Sequence, residues 1–162
     1  MIRFVPFILY LWLVGLYQVV LGEAISIYGI TVNLPVLMVM LFGLYKSEED
    51  SCWFGFVVGL VAFAGLTAVM GWHALIMATF GYLAFHLRAK INMDSLYSKL
   101  LLIFVGVAIH NTIVLIMSKS DSIFLLMATQ ALTGAVYTAV AAWVYFLFKE
   151  GKITFQKFKA IF

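Results

Sequence analysis

The chain is expected to be all-α: a polytopic membrane helical bundle of about six transmembrane helices, with N-terminus and C-terminus both inside. Three observations lead there. First, 65% of the 162 residues are hydrophobic and only 10% are charged, against roughly 25% charged in a soluble domain. So small a globule cannot hide that much apolar surface from water, whereas lipid removes the need. Second, the apolar runs are long and unbroken, as in Leu100–Met117 and Ile123–Phe148. Backbone in lipid must satisfy its own hydrogen bonds, by helices or by a closed barrel, and a barrel needs period-two alternation. Third, the basic residues sort to one side of the spans so defined.

The first span is expected near Phe4–Leu21. It is too long for a signal-peptide core and no small-residue cleavage site follows it, so it reads as a retained helix. Pro6 lies in its first turn, where a missing N–H costs little. The second span, Asn33–Tyr45, opens on Asn33 as N-cap with Pro35 in the first turn. Lys46–Asp50 is the clearest break, and Ser51 is a candidate cap for a third span at Cys52–Met70. The fourth, fifth and sixth spans are placed at Trp72–Leu87, Leu96–Met117 and Ile123–Phe148. The second and fourth runs fall short of the ~20 residues that cross a bilayer, so they thin it, tilt within the bundle or re-enter.

With the N-terminus inside, Arg3, Lys46, Arg88, Lys90, Lys99, Lys149, Lys152, Lys157 and Lys159 all fall inside, and Lys119 alone falls outside. Nine of ten basic residues thus share a side, as cytoplasmic loops require. An odd number of spans would destroy the sorting. In the tail, Ile153, Phe155, Phe158 and Phe162 interleave with Lys152, Gln156, Lys157 and Lys159. Wound as a helix, Lys149–Phe162 would lay a basic stripe on an anionic inner leaflet. No nucleic-acid partner is expected.

Chemistry is expected to be absent. The seven acidic residues, Glu23, Glu48, Glu49, Asp50, Asp94, Asp121 and Glu150, lie in loops or at span ends. Proton relays and hydrolytic membrane sites need such groups mid-span. There is no His-Glu-x-x-His pair and no Gly-rich phosphate loop. Cys52 is alone, so no internal disulfide can form, and nothing marks it as an activated nucleophile. His73, His86 and His110 fall on different spans and at different depths, so no metal site is expected, and no cofactor.

Neutral polar residues do enter the spans. Gln18, His110, Asn111 and Gln130 lie within the outer half, and His73 caps the outer end of the fourth span. The fifth and sixth spans share a short loop, so His110 and Gln130 can meet at matched depth. Either these residues make ordinary interhelical hydrogen bonds or they line a polar pocket open to the outer face. Packing signals are stronger. Gly55 and Gly59 form a GxxxG, and the last span carries two stripes of small residues: Gly134, Thr138 and Ala142, and Ala131, Ala135 and Ala139. Small residues let helix backbones approach closely. One stripe is a candidate surface for a partner or for a second copy of the chain. Trp12, Trp53, Trp72 and Trp143 suit interfacial or packing positions.

One ordered set of motifs is more specific. It runs through Gly29, Ile30, Thr31, Val32, Asn33 and Leu34, then Phe42, Gly43, Leu44, Tyr45 and Lys46. After the charged turn come Gly55, Phe56, Val57, Val58, Gly59 and Leu60. Gly71, Trp72, His73, Ala74 and Leu75 follow, then Gly81 and Tyr82. In order and spacing this third of the chain resembles the rod shape-determining protein MreD family. It departs where MreD-like sequences often carry an acid after the Gly-Leu of the third span; here Val61, Ala62, Phe63 and Ala64 stand instead. The resemblance implies a non-catalytic bacterial inner-membrane scaffold of the cell-elongation machinery. Such a scaffold binds an MreC-like membrane protein, with other elongation proteins, and helps couple the cytoskeleton to peptidoglycan synthesis. The family fold is also similar to substrate-binding subunits of energy-coupling-factor vitamin transporters, which implies the alternative: a small-molecule-binding membrane subunit.

The topology makes a direct prediction. With Cys52 replaced by Ala, Asp121→Cys should react with a membrane-impermeant thiol reagent in intact cells, and Asp94→Cys only after permeabilisation. Labelling of position 94 in intact cells would overturn the six-span arrangement.

Overall fold

A computed structural model describes residues 5–21, 30–65, 68–91, 95–117 and 127–149. These residues form six α-helices: α1 (Val5–Leu16), α2 (Leu34–Tyr45), α3 (Glu48–Ala62), α4 (Met70–Arg88), α5 (Leu96–Met117) and α6 (Leu132–Lys149). A π-helical turn, Tyr17–Leu21, continues α1, and another, Met127–Ala131, leads into α6. Two stretches are long and apolar enough to cross a membrane, Leu96–Met117 and Thr129–Lys149; α2 and Phe7–Leu16 are shorter apolar helices.

The helix ends follow local chemistry. Asn33 caps α2, its side chain accepting from the Val36 N–H at 3.3 Å, with Pro35 in the first turn. The third helix begins earlier than expected. Ser47, not Ser51, is its cap, accepting from the Asp50 N–H at 3.3 Å. Glu48, Glu49 and Asp50 therefore form a first turn, where negative charge suits the helix dipole. Ser51 is fully buried instead, and its hydroxyl donates to the Ser47 carbonyl at 2.7 Å. The expected third span, Cys52–Met70, is likewise corrected: α3 ends at Ala62 and a turn follows at 63–65. The fourth run is no short one, since α4 holds 19 residues. The Ile123–Leu126 start of the sixth span lies outside the described residues.

The tightest pairing is the α3–α4 hairpin. A Cβ on Gly59 would lie 2.5 Å from the Ala74 Cα and 2.8 Å from the His73 carbonyl oxygen. On Gly55 it would strike the Met77 carbonyl, and on Gly81 the Ser51 carbonyl. The seam is thus a ladder of small residues, Ser51, Gly55 and Gly59 facing Gly81, Ala78 and Ala74. On its flank, a Cβ on Gly43 would lie 2.5 Å from that of Ala84, so α2 packs closely as well. Helix α2 has only 12 residues, about 18 Å of helix. It nonetheless touches every other helix and is mostly buried, so it is the central post of the bundle. Around its lower half Phe42 stacks on Phe54, centroids 4.0 Å apart, and Phe7 meets both edge-on.

The small-residue stripes of α6 face inward. Ala131, Ala135, Thr138 and Ala142 are at most 2% exposed, and Gly134 is buried beside Asn111. The expectation of a partner-facing stripe is therefore corrected; only Ala139 keeps partial exposure. The surface is built of large side chains, among them Trp12, Trp53, Trp72, Leu101 and Val136. Gly71 is no packing glycine either, since a Cβ there would meet nothing within 4 Å. Leu75 and Tyr82 are exposed, while Phe56 and Leu60 are half-buried.

These two kinds of glycine should separate on substitution. Gly59→Ala should lower unfolding stability by about 1–3 kcal/mol, because backbone rather than a yielding side chain meets the new methyl. Gly71→Ala should leave stability unchanged or raise it. Equal melting temperatures for the two variants would contradict the seam.

Candidate functional site: a polar cluster opposite the described charges

The helices run alternately up and down, so the bundle has two ends. Every charged residue described, from Lys46–Asp50 through Arg88, Lys90 and Lys99 to Lys149, belongs to one end. The other end gathers the close of α1, the start of α2, the close of α3, the start of α4, the close of α5 and the start of α6. There the polar residues converge.

Tyr17, in the π-turn after α1, donates to the Val32 carbonyl at 2.6 Å and pins the segment before α2. That holds Asn33 at the centre of the cluster. Its backbone N–H donates to the Thr138 hydroxyl at 2.9 Å, and that hydroxyl in turn donates to the Gly134 carbonyl at 2.7 Å. Its side-chain NH2 donates to the Asn111 side-chain Oδ1 at 2.8 Å and lies 3.2 Å from His110 Nδ1. The second amide proton serves His110 if Nδ1 accepts, which puts the ring proton on Nε2. Asn111 also donates to the Ala131 carbonyl at 3.2 Å. One asparagine thus ties α2 to α5 and α6 while capping its own helix.

The histidines are arranged differently from expectation. His73 does not sit at an open helix end: it is 3% exposed, with Phe63 stacked on its ring at 3.6 Å. His73 and His110 are neighbours, ring centroids 6.5 Å apart, despite lying on different helices. His73 Nδ1 and His110 Nε2 have no hydrogen-bond partner among the described residues. His86 is exposed, near the charged end. No group of three or more potential metal ligands occurs among the described residues. His110 and Gln130 meet as walls of one small cavity, while the polar contacts of His110 are with Asn33 and Asn111, and Gln130 is exposed at the rim.

Beside the cluster lies a cavity of about 460 Å³, lined by Tyr17, Gln18, Thr31, Asn33, Asn111 and Gln130 together with apolar residues including Phe63. A smaller one, about 200 Å³, reaches His110 along Val114 and Leu115. Among the described residues, none that lines either cavity is charged. Gln18, Gln130 and Thr31 are exposed, so the polar groups divide into a committed inner set and an open rim. Of the expected polar-pocket residues, Gln18, Asn111 and Gln130 come together at the larger cavity, and His110 joins Asn111 and Gln130 at the smaller. His73 lies behind Phe63. Reasoning from sequence missed Asn33 as the hub, and Tyr17, Thr31 and Thr138 as participants. The signal for Asn33 was local, a cap before a proline, whereas its main partners are 77 to 105 residues away.

No family model, curated protein or solved structure matches the chain.

The cluster ranks its members. Asn33→Leu removes a cap and strands Asn111 and His110, so it should cost about 1–3 kcal/mol. His110→Phe loses the Nδ1 contacts but also removes a buried ring nitrogen that has no partner among the described residues, so it should cost less than about 1 kcal/mol. Both are read by denaturant unfolding in detergent; a larger loss for His110→Phe would displace Asn33 from the centre.

Proposed function

We propose that the chain is a six-span inner-membrane scaffold of the bacterial cell-elongation machinery, with both termini cytoplasmic. In this reading it binds an MreC-like membrane protein and performs no catalysis. The one observation that most supports it is how the motif residues are used. Gly55, Gly59 and Gly81 are consumed in helix packing, and Asn33 spends its hydrogen bonds on its own chain. What remains for action is a rigid body with a large apolar exterior. The gathering of described charges at one end supports the same orientation.

The partner surface of this reading is a groove of about 600 Å³ along α5 and α6, whose lining includes Leu101, Phe104, Val136, Ala139, Val140 and Trp143. It is almost wholly apolar, with a small residue at its floor. A partner's membrane helix is the shape that fits such a groove, with van der Waals packing supplying the attraction.

One observation favours the second reading, a small-molecule-binding subunit: the concave cavity, with no charge in its described lining, and its open polar rim. Its lining would select a neutral ligand with hydroxyl or amide groups. The two readings part on mutation. If the chain is a scaffold, His110→Leu and Gln130→Leu leave cell shape in a depleted host and partner co-purification intact. Ala139→Phe, filling the groove, then weakens co-purification by about tenfold or more. Loss of cell shape in the polar variants with the partner still bound would move the assignment to ligand binding.

A further inference from the structure

The charged end holds a second cavity, about 270 Å³, between α1, α2 and α6. Its lining includes Lys46, Lys149, Tyr10, Tyr45 and Tyr145, with Met38 on its apolar wall. We propose that this cleft binds the phosphate and glycerol of one anionic phospholipid, resting on the membrane setting inferred above.

The groups are matched to that chemistry. Two ammonium groups supply the charge and three phenols supply hydroxyls for phosphate and ester oxygens. Tyr10, Tyr45 and Tyr145 line the same cleft, so the phenols cluster. Lys149 is partly desolvated there and feels the positive charges of Lys99 and Lys46, so the cations crowd one another. An anion placed among them relieves that repulsion. The lysines are also held in place by aromatic faces. Lys149 Nζ lies over the rings of Tyr45 and Tyr145, and Lys46 Nζ lies 5.9 Å from the Phe42 centroid.

The backbone would ordinarily oppose an anion here, because the last carbonyls of a helix carry partial negative charge. The fold removes part of that obstacle. Arg88 donates to the Lys46 carbonyl at 2.8 Å and to the Leu44 carbonyl at 3.3 Å, which occupies the end of α2. The acidic turn at the start of α3, Glu48–Asp50, does not line the cleft. Tyr10 lies mid-way along α1, so the cleft extends from the charged end toward the apolar middle. A headgroup can enter at Lys46 and Lys149 while the acyl chains follow the wall. A free inorganic anion would use only the mouth.

The test uses the full chain purified in detergent. Phosphatidylglycerol, phosphatidylcholine and inorganic phosphate are each titrated, with bound lipid counted by native mass spectrometry and stability followed by thermal unfolding. Phosphatidylglycerol should bind and stabilise, phosphatidylcholine roughly tenfold more weakly, and phosphate at equal concentration hardly at all. Lys46→Gln with Lys149→Gln should abolish the preference, while Lys90→Gln with Lys119→Gln, which removes equal charge, should keep it. If the double variant is poorly folded, Lys46→Arg with Lys149→Arg carries the test and should retain binding. Equal binding of the two lipids, equal loss in the control pair, or phosphate matching the lipid would each overturn the proposal. Partner co-purification and thiol labelling are read separately, so failure of the lipid site is distinguishable from failure of the scaffold reading.

Discussion

The contact between the backbones of α3 and α4 is the constraint on which the other packing depends. At Gly55, Gly59 and Gly81 there is no room for even a methyl group. Such an approach maximises dispersion contacts between the two helices. It also brings Gly43 of α2 against Ala84 and Gly81 of α4, so the short α2 is seated beside the hairpin. With α2 seated, Met40 fits against Gly106 of α5, and Asn33 at the head of α2 reaches α5 and α6. The polar cluster is therefore a consequence of the apolar seam below it.

The division of labour between the two ends follows from the same geometry. At the end away from the described charges, backbone groups at helix termini need partners, and Asn33, Asn111, Thr138 and Tyr17 supply them. At the charged end, Arg88 performs that service for α2 and aromatic rings hold the lysines. The middle contains almost nothing but apolar side chains and small residues. The exposed flanks and the two ends of such a body are where other molecules can act on it.

Much of the fold was legible in the sequence because it rests on local or compositional signals. The Asn33 cap and Pro35 mark the start of α2, and the apolar run of α5 gives its bounds, Leu96–Met117, directly. The bounds of α3 were misjudged because Glu48, Glu49 and Asp50 read as a loop, although acidic residues are favourable in a first turn. The inward direction of the α6 stripes was not legible, since small residues serve equally to pack a monomer or to meet a partner. Long-range pairings were also out of reach. Nothing near His73 announces His110, and nothing near Asn33 announces Thr138; only the placement of α2 brings them together.

The central claim is that α3 and α4 meet backbone to backbone. Solid-state NMR of the uniformly labelled protein in bilayers reads that contact without any substitution. A strong short-mixing 13C–13C correlation should join the Gly59 and Ala74 Cα atoms, with another between Gly81 Cα and the Ser51 carbonyl carbon. Absence of both, while correlations within α3 and within α4 are well resolved, would contradict the account.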